Sequence, residues 1–130
     1  MANNVSIKGG SLQAQIMDAF DVTEAVVNQA AEDCSYKAAK KTKELLKGAP
    51  VNGTRYNSGW KIKKGKTEAT VYQASQPGLT HLLENGHDIV VNGQKVGHAR
   101  AIPHIKPAEE IGKEYFEELI VEEIERRLKG

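Results

Sequence analysis

Apolar positions along the chain follow a helical period, then a strand period, then a helical period again. Between Asp21 and Lys47, Val27, Ala31, Cys34, Ala38 and Leu45 fall at spacings of four, three, four and seven, which sets them on one helical stripe. The stripe is rich in alanine, so it permits close packing on a sheet. Asp21 followed by Glu24 reads as a capping box. Lysines gather at the other end, where they complement the helix dipole, and Gly48-Ala49-Pro50 stops the element. The long helix is therefore expected over 21–48. Leu12, Ile16, Met17 and Phe20 predict an N-terminal arm or short helix within 1–20, with a bend near Asp21.

From Val51 the grammar changes. Val51-Asn52-Gly53-Thr54 is turn chemistry. Residues 56–63 and 67–73 read as two strands joined at Lys64-Gly65-Lys66. In the second, Ala69, Val71 and Gln73 alternate with Thr70 and Tyr72, as in a half-buried strand. In the first, Trp60 and Ile62 share the apolar face. Leu79 to Asn85 predicts a short helix over 79–85, ending at Gly86. A second hairpin follows over 88–99, with Ile89, Val90 and Val91 before Asn92-Gly93, a pair suited to a type I′ turn. The last helix is expected over 107–128, starting at Pro107 and carrying Ile111, Tyr115, Phe116, Leu119, Ile120, Ile124 and Leu128 on one broad face.

Strands in the middle and helices at the flanks predict an α+β fold. A small antiparallel sheet of two hairpins, spanning 55–99, packs against the long N-terminal-half helix and the C-terminal helix. At 130 residues the chain has room for one core. A formal net charge of +1 argues against a uniformly basic nucleic-acid binder or a highly charged disordered chain. One cysteine excludes an intrachain disulfide scaffold and a cysteine-based zinc cluster. No apolar run is long enough for a membrane span, and MANNVSIKGG has no signal-peptide pattern, so a soluble, intracellular, single-domain protein is expected.

The near-zero net charge hides an asymmetry. Residues 37–66 carry ten basic groups against Glu44, and residues 109–125 carry eight glutamates against Lys113. Lys61, Lys63, Lys64 and Lys66 on the hairpin, and Glu110, Glu114, Glu117 and Glu118 on the last helix, are candidate complementary surfaces. They would meet within one chain or across a subunit boundary, or stand as solvated faces.

The four histidines, His81, His87, His98 and His104, lie within 24 residues of one another. With Glu84, His81 and His87 form an acceptable zinc set if they converge, which would suit a small metal-dependent hydrolase or nuclease. Their spacing is not H-E-x-x-H, and the competing reading is that Glu84 and His87 satisfy buried backbone groups. Cys34 on the apolar stripe reads as a core residue. Lys61, Lys63, Lys64 and Lys66 with Trp60 and Tyr56 suggest a nucleic-acid-binding module. Strand alternation weakens this, because Lys61 and Lys63 point away from Trp60 and Ile62.

The runs Ala49-Pro50-Val51-Asn52-Gly53-Thr54-Arg55-Tyr56, Ser58-Gly59-Trp60, Leu79-Thr80-His81-Leu82-Leu83-Glu84-Asn85-Gly86-His87, Ile102-Pro103-His104-Ile105 and Pro107-Ala108 resemble the tail-completion, or head–tail joining, proteins of long-tailed phages and prophages. The resemblance spans roughly 20–128 and is most specific at 80–87. It implies a virion structural protein of the tail or neck, with no enzymatic activity and no cofactor. Such proteins form a homo-oligomeric ring, six-fold by analogy with the family. The ring contacts the tail-tube protein and head-completion or neck proteins, and DNA passes its lumen without sequence-specific binding. On this resemblance His81, Leu82, Leu83, Glu84, Gly86, His87, Trp60, Pro103 and His104 are architectural. Leu82 and Leu83 anchor the short helix, Glu84 and His87 bond to backbone or to each other, Gly86 permits a tight exit, and Pro103 with His104 seats the approach to the last helix.

Overall fold

The computed structural model describes residues 4–49 and 54–129. The elements run β1 (Asn4–Lys8), α1 (Leu12–Ala19), α2 (Glu24–Lys47), α3 (Thr54–Asn57), β2 (Trp60–Lys64), β3 (Glu68–Gln73), a 3₁₀ turn (Pro77–Leu79), α4 (Thr80–Asn85), β4 (His87–Val91), β5 (Gln94–Ala99) and α5 (Ile105–Lys129). The fold mixes helix and strand as expected, with a long helix in the first half and another at the C-terminus. The stop and turn assigned to Pro50, Val51, Asn52 and Gly53 lie outside the described residues.

The strands form two antiparallel sheets, not one. β1, β3 and β2 lie in that order, and β4 pairs only with β5. β1 is a strand where an arm or helix was expected. Val5 lies opposite Val71 and Ile7 opposite Ala69, and all four side chains are buried. β4 and β5 stay apart because they have no buried face: Ile89, Val90, Val91 and Val96 are all exposed. Their hairpin turns at Asn92 (φ 52°) and Gly93 (φ 79°), the two positive angles that a type I′ turn requires. Ile89 pairs with Gly97 and Val90 with Lys95, so Val96 is an extra, bulged residue.

α2 lies across one face of the three-stranded sheet, and α5 packs along α2 and against β1. The core lies between these helices and the sheet, built from Val5, Ile7, Val71, Val27, Phe116, Ile120, Ile124 and the alanines of α2. The opposite sheet face is open and polar: Ser6 and Thr70 share a hydrogen bond of 3.2 Å there.

Two element starts lie several residues later than the sequence reading places them, and the buried line of α2 departs from its expected stripe. α2 starts at Glu24, and its N-cap is Thr23, not Asp21: the Thr23 hydroxyl accepts the Val26 N–H at 3.3 Å. Asp21 lies in the link after Phe20, whose extended backbone ends α1. The buried line of α2 follows Cys34, Ala38, Thr42 and Leu46, while Leu45 is exposed. Steps of four rotate the line about 40° per step around the helix, which carries it past Leu45. The strand expected from residue 56 begins at Trp60, because Thr54–Asn57 is a helical turn. Its carbonyls are held by the next strand's exit: Gln73 Nε2 donates to the Tyr56 carbonyl at 2.7 Å and Ser75 Oγ to the Arg55 carbonyl at 2.9 Å.

α5 buries Ile105, Ala108, Gly112, Phe116, Ile120 and Ile124, while Ile111 and Leu128 of the expected face are exposed. Gly112 lies hard against Thr42 of α2. A β-carbon there meets the Thr42 hydroxyl and stands 3.2 Å from Ile7 Cδ1. The Thr42 hydroxyl is itself fixed, donating to the Ala38 carbonyl at 2.9 Å. Gly112→Ala is therefore expected to destabilise by about 1–3 kcal/mol through overpacking, although alanine is the better helix former by about 1 kcal/mol. Urea denaturation of Gly112→Ala, alone and with Thr42→Ala, checks this. Recovery in the double variant is expected, and a single variant as stable as the parent contradicts the packing argument.

Candidate functional site: a buried Tyr-His-Glu chain at the foot of a hairpin arm

The segment 80–87 folds as one turn and a half of helix that stops abruptly. At Gly86 the backbone adopts φ 75°, ψ 171°, a region open essentially to glycine alone. A β-carbon there would stand 2.7 Å from the Ala99 carbonyl and 3.0 Å from the Ala101 nitrogen. The chain thus leaves α4 hard against the strand that returns from the hairpin. The Ile102 N–H donates to the Leu83 carbonyl at 2.7 Å and closes the base of the arm.

The Glu84 side chain lies across this base and reaches the first turn of α5. Oε1 accepts the backbone N–H groups of His104 at 2.6 Å and Ile105 at 2.8 Å, and Oε2 accepts that of Lys106 at 3.1 Å. The opening turn of a helix has N–H groups without intrahelical partners and a positive dipole end, and a carboxylate answers both. α5 therefore begins at Ile105, two residues before the expected start, and Pro107 is its third residue. Burial tends to raise the Glu84 pKa, but the three N–H donors and the nearby His104 outweigh it and hold the carboxyl below its ordinary value.

His104 extends the chain of bonds inward. Its Nδ1 lies 2.9 Å from the Ile102 carbonyl and 3.0 Å from Glu84 Oε1. Both neighbours only accept, so Nδ1 carries the proton, and in the neutral ring Nε2 accepts the Tyr56 hydroxyl at 2.7 Å. Tyr56, Trp60 and His104 meet edge to face, with ring centroids 5.7 to 6.2 Å apart. Tyr56 is 2% exposed and His104 4%. Burial pushes the phenol above its ordinary pKa. The arrangement locks α3, α4, β2 and the start of α5 to one another. The Tyr56 hydroxyl is enclosed within it.

Of the residues singled out in the sequence, Trp60, Glu84, Gly86 and His104 come together here, with Leu83 packed against the core. Leu82 is half-buried, His81 and Pro103 are exposed, and His87 is half-buried at the start of β4. Glu84 bonds to backbone, but that of the last helix. No bond joins it to His87, whose Nδ1 is buried without a hydrogen-bond partner. Among the described residues no three His, Cys, Asp or Glu side chains gather as a metal set, so His81, Glu84 and His87 do not converge. Cys34 is buried, and desolvation, with Glu123 next, pushes its thiol up to about 11, as suits a core residue.

The charged candidates, Lys61, Lys63, Lys64 and Lys66 on one side and Glu110, Glu114, Glu117 and Glu118 on the other, are all exposed. Among the described residues no ion pair joins the two sets: Lys64 pairs instead with Glu32 at 3.4 Å. The cations of β2 do have aromatic neighbours. Lys61 lies directly across from Tyr72 on the open sheet face, and the Lys64 ammonium sits 5.2 Å over the Tyr36 ring.

Sequence reasoning missed Tyr56 and Gln73 as parts of the site. Gln73 carried a usable signal, a polar residue at an inward position of an alternating strand. No protein-family model, curated protein or solved structure matches this chain.

Proposed function

We propose that this protein is a structural component of a long-tailed phage particle, acting at the tail end or neck as a homo-oligomeric ring that completes the tail or joins it to the head. The sequence resemblance at 80–87 supports this reading, and the β4–β5 arm is the observation that carries it. The arm has no buried residue in either strand and exposes Ile89, Val90, Val91 and Val96. A lone two-stranded hairpin is only marginally stable in water, and these aliphatic side chains suit a partner surface.

A ring requires two different patches that meet between neighbours. The arm supplies one, and the free lysine-bearing edge of β2 with the acidic outer face of α5 supplies a charge-complementary pair. The partners on this reading are further copies of the chain, the tail-tube protein and head-completion proteins, with DNA passing the lumen and no catalysis. Six-fold symmetry follows from the family analogy. No helix among the described residues is long and apolar enough to cross a membrane.

Light scattering with and without tail-tube protein tests the proposal. A closed ring is expected, alone or on addition of the tube. Val90→Asp with Val96→Asp should leave the melting temperature unchanged and abolish the ring. A strict monomer that ignores the tube, or a variant that assembles normally, overturns the arm's role.

A further inference from the structure

α2, β2 and the last turns of α5 border an open cleft of about 370 Å³ beside the ring of Tyr36. Lys37, Lys40, Lys64, Arg126 and Arg127 line it, with Asp33 and Glu123 as its acids. The Lys40 and Lys64 ammonium groups lie 4.7 and 5.2 Å from the centroid of the same ring. Such contacts hold flexible side chains in place and reduce the entropy lost when they bind a ligand.

The charges do not balance. Glu123 is bonded to both Arg126 and Arg127, Asp33 lies 3.3 Å from Arg127, and Glu32 holds Lys64. Five cations thus meet three carboxylates, all of them engaged. Among the described residues, Lys37 and Lys40 have no carboxylate within ion-pair distance. Glu122 lines an adjoining notch that Lys37 and Arg126 also border, but among the described residues it forms no ion pair with either, so the two cations left without a carboxylate are Lys37 and Lys40.

We propose that this cleft is an anion site that takes phosphate groups. A phosphate monoester carries about −1.5 to −2 at neutral pH, which matches the two unanswered charges, and its three oxygens suit three ammonium donors. The volume falls within the range of small-molecule pockets, about 300–1,000 Å³. The cleft is complete in one chain, so the proposal does not rest on the ring.

Isothermal titration of the full chain at low salt tests it, with two probes, pyrophosphate and a short single-stranded oligonucleotide. Pyrophosphate is expected to bind with one-to-one stoichiometry. Lys37→Gln with Lys40→Gln should weaken it about ten-fold or more, while Lys61→Gln with Lys63→Gln, on the open sheet face, should leave it unchanged. Both pairs are exposed, and circular dichroism checks that each variant is folded. Pyrophosphate binding without oligonucleotide binding supports a small phosphorylated ligand. Oligonucleotide binding that pyrophosphate displaces supports a nucleic-acid backbone at the same groups. No binding of either probe, or equal weakening by the two double variants, overturns the proposal.

Discussion

Glu84→Ala is expected to destabilise the protein by about 3 kcal/mol, because it leaves two partly buried N–H donors, of His104 and Ile105, and the exposed one of Lys106 at the start of α5 without their acceptor. Glu84→Gln should cost about 2 kcal/mol. It keeps one oxygen, but its NH₂ group must face an N–H donor. The glutamine variant also separates charge from shape. The Glu84 carboxyl is held below its ordinary value in the folded protein. Its ionised form therefore stabilises the fold fully above the unfolded value of about 4.3, and the contribution disappears as pH falls through the lower folded value. The gap between parent and Glu84→Gln should be widest near neutral pH and close in acid. Denaturation midpoints taken across that range measure it. A gap that stays constant with pH would show that the clamp does not depend on charge.

The second large effect is expected at Gly86. Alanine there meets two backbone atoms, the Ala99 carbonyl and the Ala101 nitrogen, in a conformation that a side chain strongly disfavours. A loss of about 2–4 kcal/mol is expected. Gly93 provides the control. It also has a positive φ, 79°, but no atom stands within 4 Å of a β-carbon placed on it. Gly93→Ala should cost only the strain of the left-handed conformation, about 1–2 kcal/mol. Thermal melts of the two variants isolate the clash at the arm's base. Equal losses at both positions would remove it from the account.

Local chemistry made much of this fold legible. The Asn92-Gly93 turn, the alternation of Ala69, Val71 and Gln73, the alanine stripe of α2 and the stop at Gly86 are each decided within a few residues. What escaped was decided across the chain. β1 has only Val5 and Ile7 to signal it, and it becomes a strand by pairing with β3, more than sixty residues away. The start of α5 is fixed by a carboxylate about twenty residues upstream, so Pro107 misplaced it by two. Tyr56 sits in a run that reads as strand, yet Gln73 and Ser75 take up the carbonyls of a helical turn there. The separation of the two hairpins had a quiet local sign: Ile89, Val90 and Val91 are consecutive apolar residues and do not alternate. At the site, the sequence marked Glu84, Gly86 and His104 as important positions. It gave no means of seeing that Glu84 caps a distant helix or that Tyr56 completes the chain of bonds.

The closed base of the arm makes the hairpin a module. Leu83 and Ile102 are joined by a backbone hydrogen bond at 2.7 Å, so the chain enters and leaves the arm at a single point on the body. The residues between them form a loop whose ends are already held together, and lengthening such a loop carries only a slowly growing entropic cost. Strands β4 and β5 can therefore open, change length or change sequence with little consequence for the core. The body is then a fixed mount and the arm an exchangeable fitting, so the apolar surface of the arm can change independently of the fold that carries it.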